Sequence, residues 1–325
     1  MKFLTLLLLC VSVLSVNLQA QEIKVGLLAP EGTTWAIKMK EMAKEISDAT
    51  GGKVKLRLYF GGAQGDEHDV LRKIRVGQLQ GGVFTGKTLG EINGDVRVME
   101  IPFNFNGNRE QAIKSLNSLE GFFNEGFTKN KFTNLGFFEL GDVYFVSQKK
   151  TENLNALRGI KIWSWEGDRL VSTMIESMKL VSVPLPITDV MSSLSTGIIE
   201  AAYAPPMGIV AFQWNTRVSY LVNLPLSFSI GAFLVGDKVW KSISPEHQKT
   251  IQTISQKFVK EVNEANYQDN LKALEAMKAL QIEFLTFPDS DVETGKKLRD
   301  EMIAKLKGNL FSEEALTKLN ESLVK

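Results

Sequence analysis

One cysteine and two histidines in 325 residues leave little for metal or thiol chemistry. A Cys-rich metal site and a disulfide scaffold both need several thiols, so both are excluded, and without a third imidazole the sequence does not favour a catalytic zinc. An excess of one charge is also missing. The 38 basic and 37 acidic side chains nearly cancel, and no basic stripe stands ready to neutralise phosphates, which excludes a nucleic-acid partner. No G-x-S-x-G elbow occurs, and neither His68 nor His247 has a nucleophile beside it, so nothing recommends acyl transfer or an enzyme. Long hydrophobic runs are lacking as well. The apolar stretch Phe3–Val16, 14 residues, falls short of the ~20 that span a bilayer as a helix.

That stretch has a different reading. Lys2, the apolar run and the small Ala20 form the pattern of a secretory signal over residues 1–20, with cleavage expected after Ala20. Cys10 follows Leu9 inside the run, where lipid attachment wants a small residue, and this argues against a lipid anchor. Lys2 is the only charge in the segment, so the remaining chain balances at 37 basic and 37 acidic side chains and carries no thiol. Such an exported chain suits the periplasm.

The rest of the sequence alternates strand and helix signals. Residues 22–28 read as a buried strand, and 33–49 place Trp35, Met39, Met42 and Ile46 at helical spacing before a Thr50-Gly51-Gly52 stop. Residues 53–60 alternate apolar with basic as a half-buried strand does, a helix follows over 66–76, and a short strand over 82–85. This is β-α-β-α-β, the start of an α/β lobe with a largely parallel sheet. A helical pattern over 108–131 leads into 134–147, a strand long enough to cross between lobes. A second set follows: strand 160–164, helix 166–178, strand 180–183, helix 187–196 and strand 198–203. At roughly 100–200 residues per domain, two lobes fit the length. Residues 219–235 read as strands returning to the first. Ser244-Pro245-Glu246 then opens a helix with a cap, a proline at the first position and an acid at the positive end of the dipole. Apolar residues from Ile251 through Phe258, Leu271 and Leu274 to Leu280 recur at about 3.6 residues, so this helix is some 50 Å long at ~1.5 Å per residue and can brace both lobes.

Two motifs invite chemistry and do not sustain it. Gly81–Thr88 (GGVFTGKT) satisfies G-x-x-x-x-G-K-[ST], the phosphate-cradling loop. That loop must lie between a strand and a helix, whereas here residues 82–85 are themselves the strand and the preceding LRKIRVGQLQ is helix-like, so nucleotide hydrolysis is not favoured. Asp66-Glu67-His68-Asp69 could supply metal ligands, but consecutive residues scatter around a helix axis, and a solvated helix start is the simpler account. More informative are Trp163 and Trp165, which flank Ser164 at the end of a strand. Residues i and i+2 share a face, and ligands bind at the carboxyl ends of strands in open α/β sheets, so both rings are expected on a cleft wall.

At this point the residues carry a resemblance that covers nearly the whole mature chain. KEISDATGGKVKLRLYFGGAQGDEHDVLRKIRVGQLQGG (44–82), NLNALRGIKIW (153–163), VSVPLPITDVMSSLSTGIIEAAYAPP (181–206) and VWKSISPEHQKTI (239–251), after the first strand and the Trp35 helix, resemble in order the segments of the DctP-type solute receptors of tripartite ATP-independent periplasmic (TRAP) transporters. The resemblance implies a two-lobed, periplasmic-binding-protein-like α/β fold with a long bracing helix. Lobe I would comprise 21–137 plus 227–265, and lobe II 138–226 plus 266–325. It further implies a small-molecule ligand in the interlobe cleft, no cofactor or metal, and delivery to two integral membrane subunits.

The departures from the family pattern bear on the ligand. Where the family has an Arg that grips a carboxylate with two prongs, this chain has Trp163; the Asn of a later segment falls at Ala204, and an acid of the first lobe falls near Gly86. An indole cannot compensate a buried carboxylate. The inference is a substantially apolar ligand, walled by Trp163, Trp165, Phe84, Trp35, Ile187 and Tyr203 and held by stacking and area burial. Arg169 is the nearby cation that could replace the lost Arg. A branch of the family without that Arg is associated with a helical-repeat (TPR) periplasmic partner, and the chain resembles that branch. The rival readings are an organic-acid receptor of the same fold, and an exported lipid or ligand carrier that docks a TPR partner.

Overall fold

The structure, a computed structural model, describes residues 20–324; the expected signal cleavage and Cys10 lie outside the described residues save for Ala20 itself. Two strand–helix sets follow one another. The first comprises β1 (Gln21–Gly26), α1 (Thr34–Ala49), β2 (Val54–Tyr59), α2 (Glu67–Arg75), β3 (Gly81–Thr85), α3 (Gly86–Ile92), a 3-10 turn over Gly94–Glu100, and α4 (Arg109–Lys129). After the long β4 (Phe132–Ser147) come β5 (Lys161–Trp165), α5 (Arg169–Ser177), β6 (Val181–Leu185), α6 (Val190–Thr196), β7 (Ala201–Ala204) and α7 (Pro206–Ala211). The chain returns on β8 (Tyr220–Gly236) and finishes with α8 (Asp237–Trp240), α9 (Pro245–Ala279), β9 (Glu283–Leu285), α10 (Asp289–Leu306) and α11 (Glu313–Val324). No described helix is long and apolar enough to cross a membrane.

Local chemistry explains the helix starts. Thr33 accepts from the Ala36 amide and so caps α1, whose inward face carries Met39, Met42 and Ile46. Ser244 accepts from the His247 amide, with Pro245 at the first position of α9. Asp168 caps α5 by accepting from the Leu170 and Val171 amides.

All nine strands join one sheet in the order β2-β1-β3-β8-β4-β7-β5-β6, with β9 paired to β8. The sheet is parallel at its two ends, where Ile23 faces Leu56 and Trp163 faces Val183, as βαβ crossovers require. At the centre it is antiparallel: β3 and β4 both pair with β8, and β4 pairs with β7. The largely parallel sheet expected for the first lobe therefore holds only for β1, β2 and β3. β4 and β8 each run from one lobe into the other, so lobe I uses the Phe132 end of β4 and lobe II its Ser147 end.

The middle of β4 is irregular, with register shifts between Asn134 and Phe137, Glu139 and Gly141, and Val143 and Phe145. Gly141 takes φ +106°, and a Cβ there would sit 2.5 Å from Asn270 Nδ2, so this position requires glycine. Bulges free backbone groups from the ladder, and α9 takes them up. Asn266 donates to the Glu139 carbonyl and Asn270 to the Leu140 carbonyl, each at 2.7 Å, while Asn270 Oδ1 accepts from the Met207 amide of α7 at 2.9 Å. Packed on α1 of lobe I, on β4 and on α7 of lobe II, α9 braces both lobes. Its inward positions differ from a purely apolar stripe: Asn266 and Asn270 are buried, whereas Leu271 and Leu280 are exposed.

Residues 313–324, placed with lobe II on sequence, pack against lobe I. Ser322 Oγ donates to Ser115 Oγ of α4 at 2.8 Å, and Ala315 and Leu319 share a core with Leu116 and Phe123.

Candidate functional site

A cavity of about 520 Å³ lies between the lobes. It is more than three times the ~150 Å³ of an apolar cavity that admits benzene. The crossing strands supply Phe138, Leu140 and Val143, and α9 closes one side with Ala273 and Ala276.

The lobe II wall is aromatic. Trp163 and Trp165 alternate with Ser164 on β5 and lie 5.8 Å apart, as the strand period requires. Trp163 stacks on Tyr203 at 4.9 Å and takes the edge of Trp214 at 5.4 Å, and its Nε1 donates to the Leu185 carbonyl at 3.0 Å. With 1% exposure it is a core residue and a wall residue at once. The lobe I wall carries Phe84 at the end of β3 and Trp35, which packs on Phe138 at 5.2 Å.

Between the two walls lies a buried polar cluster that sequence reasoning missed. Arg97, in the 3-10 turn of lobe I, donates from Nη2 to both oxygens of Asp168 in lobe II at 3.0 and 3.1 Å, and its Nη1 lies 3.2 Å from Glu100. Glu100 also accepts from Ser229 Oγ and the Ile230 amide. Burial works against the Arg97 charge, but Asp168 and Glu100 outweigh it and raise its pKa. Burial raises the pKa of Glu100, and pushes Glu67 up to about 8 even though Glu67 accepts from the Thr85 amide. A second contact ties the lobes together: Asp66 Oδ2 accepts from Trp165 Nε1 at 3.0 Å and from the Ile187 amide at 3.2 Å.

Six of the seven expected site residues, Trp163, Trp165, Phe84, Trp35, Ile187 and Tyr203, line this one cavity. Arg169 does not: as the first residue of α5 it turns outward and donates to the Asn309 carbonyl at 2.8 Å, while its neighbour Asp168 faces inward. The phosphate-loop match also finds its structural explanation. Gly81–Thr85 form β3 and α3 begins at Gly86, leaving no loop to cradle a phosphate, and Lys87 Nζ lies 2.6 Å from Glu91. Asp66–Asp69 do form a helix start, with Asp66 capping α2 and acids in its first turn, but the segment is not simply solvated. Asp66 is the interlobe acceptor, Glu67 is 2% exposed, His68 meets Glu91, and Asp69 pairs with Arg72. Arg97 and Glu100 gave no sequence signal because they lie in a short turn without periodicity; Asp168 was visible only as a residue before a helix.

The sequence profile of the bacterial extracellular solute-binding protein family 7, DctP, matches residues 25–309. A solute-binding protein of Chromohalobacter salexigens is 24% identical over 165 residues, 50% of this chain and 49% of that protein. An uncharacterized protein of Haemophilus influenzae is 25% identical over 206 residues, 63% of this chain and 62% of that one. The aligned stretch thus spans about half to three-fifths of these two relatives. Among solved structures, a TRAP periplasmic solute-binding protein of Desulfovibrio salexigens with bound orotic acid aligns with TM-score 0.86 and 18% identity over 94% of this chain and 99% of that one. One from Haemophilus influenzae with bound L-gulonate gives 0.86 and 20% over 93% and 99%. The sugar acid binding protein DctPAm of Advenella mimigardefordensis, in complex with galactonate, gives 0.87 and 17% over 94% and 98%. At these identities the likeness establishes the two-lobed fold.

Proposed function

Because the chain belongs to the bacterial extracellular solute-binding proteins of family 7, the DctP family, we propose that it is the periplasmic solute receptor of a TRAP transporter, binding a small, largely apolar solute between its lobes and delivering it to the membrane subunits. The observation that carries the apolar reading is the state of the charges around the cavity. Each of the three cations among the described lining residues already has an acidic neighbour: Lys87 with Glu91, Arg97 with Asp168 and Glu100, and Lys272 with Asp269. A solute carboxylate entering here would compete with acids already beside these cations and would face Glu100 and Asp168, an expensive placement. Aromatic and aliphatic walls instead reward apolar area at about 25 cal/mol per Å².

The solute touches both lobes, so it stabilises the arrangement in which they meet by its differential affinity for that state. The Arg97–Asp168 and Asp66–Trp165 contacts join the lobes in the same arrangement.

The related structures were solved with organic acids, and these define the experiment. Protein expressed with its native export signal is denatured, and the released small molecules are identified by mass spectrometry. In parallel, emptied protein is titrated calorimetrically with orotate, L-gulonate and galactonate. Release of an apolar compound with no heat from the three acids is the expected result. Micromolar binding of one of these acids would overturn the apolar reading in favour of an organic-acid receptor.

A further inference from the structure

Behind the main cavity lies a second one of about 70 Å³, and three side chains, Met174, Tyr203 and Leu226, line both. Its own walls include Phe145, Ile162, Met178 and Leu224. Less than half the ~150 Å³ that holds a benzene ring, it suits a few linear carbons and not a ring.

Helix α5 connects the two spaces. Asp168 and Val171 line the main cavity, Met174 lines both, and Met178, the C-cap of α5, lines the inner one. Steps of three and four residues keep these positions on one helix face. From Asp168 to Met178 the helix rises ~15 Å, the length of a chain of about a dozen carbons. One face of α5 therefore leads from the buried ion pair to an apolar end pocket. Of the three dividing residues, Tyr203 is held by its stack on Trp163 and by the Trp165 amide, which donates to its hydroxyl at 3.3 Å. Leu226 belongs to β8, whose backbone accepts from the Phe103 amide at 2.8 Å. Met174 is only partly buried, and its unbranched thioether has three rotatable bonds. It is the divider that can swing aside.

We propose that the receptor takes a solute with a straight aliphatic tail, and that Met174 gates an inner pocket in which the end of that tail lodges and which sets the longest chain accepted. This inference rests on the apolar reading above. It assigns the pocket lined by Met178 and Leu224 as a tail subsite and Met174 as the residue that determines chain-length preference.

The test uses 1-alkanols from hexanol to tetradecanol as probes, titrated into the emptied full-length mature protein. Trp163 and Trp165 line the cavity, so tryptophan emission reports occupancy. In the wild-type protein affinity should climb about fourfold per added methylene and then stop at a limiting length. Met174→Ala joins the two spaces and should raise the ratio of long-chain to short-chain affinity about tenfold or more, moving the limit out by two or three carbons. Leu224→Phe, at a residue that lines the inner pocket and not the main cavity, takes up space in that pocket and should lower that ratio. An unchanged limit in both folded variants would overturn the inference while leaving the apolar reading intact. Failure of every alkanol to bind would also overturn the inference, and binding of orotate, L-gulonate or galactonate in its place would overturn the apolar reading as well.

Discussion

Arg97 of lobe I and Asp168 of lobe II meet inside the protein, the guanidinium Nη2 3.0 Å from one carboxylate oxygen and 3.1 Å from the other, with exposures of 3% and 6%. Two charges removed from water must be matched, and removal of one partner strands the other. Arg97→Met leaves Asp168 and Glu100 buried without their cation and should cost about 3–5 kcal/mol. The double variant Arg97→Met, Asp168→Leu should recover a large part of that loss. Urea unfolding of the single and double variants decides it: equal stabilities would mean that the stranded carboxylate is not the source of the cost.

Trp163 contributes to the fold as well as to the cavity wall. Its ring touches Trp165, Tyr203 and Trp214, so Trp163→Ala opens a large void and should destabilise the protein by about 3–5 kcal/mol in addition to weakening solute binding. Trp163→Phe keeps an aromatic ring and loses the hydrogen bond to the Leu185 carbonyl, which should cost about 1 kcal/mol beyond the lost area. Melting temperatures and solute titrations of both variants separate the two roles, since a merely structural tryptophan would leave the phenylalanine variant's affinity unchanged.

Stability should fall as pH rises, through Glu67. Burial pushes this carboxyl up to about 8 from an ordinary 4.5. Between those values the folded protein holds a proton that the unfolded chain has released, so this contribution is complete below pH 4.5 and is lost as pH climbs through 8. The slope in that window approaches 1.4 kcal/mol per pH unit. Glu67→Gln removes the titration and should flatten the curve, as measured by denaturant unfolding from pH 5 to 9; a slope identical to wild type would assign the pH dependence to other groups.

Asp66 ties the lobes through Trp165 Nε1 and the Ile187 amide while capping α2. Asp66→Ala should weaken solute binding about tenfold or more, since hydrogen bonds to a charged group are worth ~1.5–3 kcal/mol each. The emptied variant should also show a larger radius of gyration by small-angle scattering. Scattering curves that superimpose on those of the wild-type protein would contradict a role in holding the lobes together.

Asn270 bonds the Leu140 carbonyl of the irregular β4 and the Met207 amide of α7. Asn270→Leu leaves both backbone groups unsatisfied and should cost about 1–3 kcal/mol, measured by thermal unfolding. A loss smaller than that of an exposed substitution such as Leu271→Ala would refute it.

Much of this architecture was legible from spacing. The Ser244-Pro245-Glu246 start, the i, i+2 pairing of Trp163 and Trp165, and the strand–turn–helix run from Lys53 to Val76 each express a local rule that tertiary context did not override. What stayed hidden depends on long-range partners. Asn266 and Asn270 look like surface residues of a helix until the bulged β4 presents its carbonyls to them. Asp168 and Arg169 are adjacent, and the cation drew attention; cap geometry turned the acid inward toward the α5 amides and the arginine out to Asn309. Arg97 sits in a 3-10 turn with no period to reveal which way it faces. Nothing local in α11 marks its docking on α4.

β4, β8 and α9 each pass from one lobe to the other. A body whose halves share three continuous members cannot shift one half without deforming all three, and the middle of β4 is the least regular stretch of them. Movement of one lobe against the other therefore loads the paired strands and the helix together, so strain introduced at any one of them is shared by the other two.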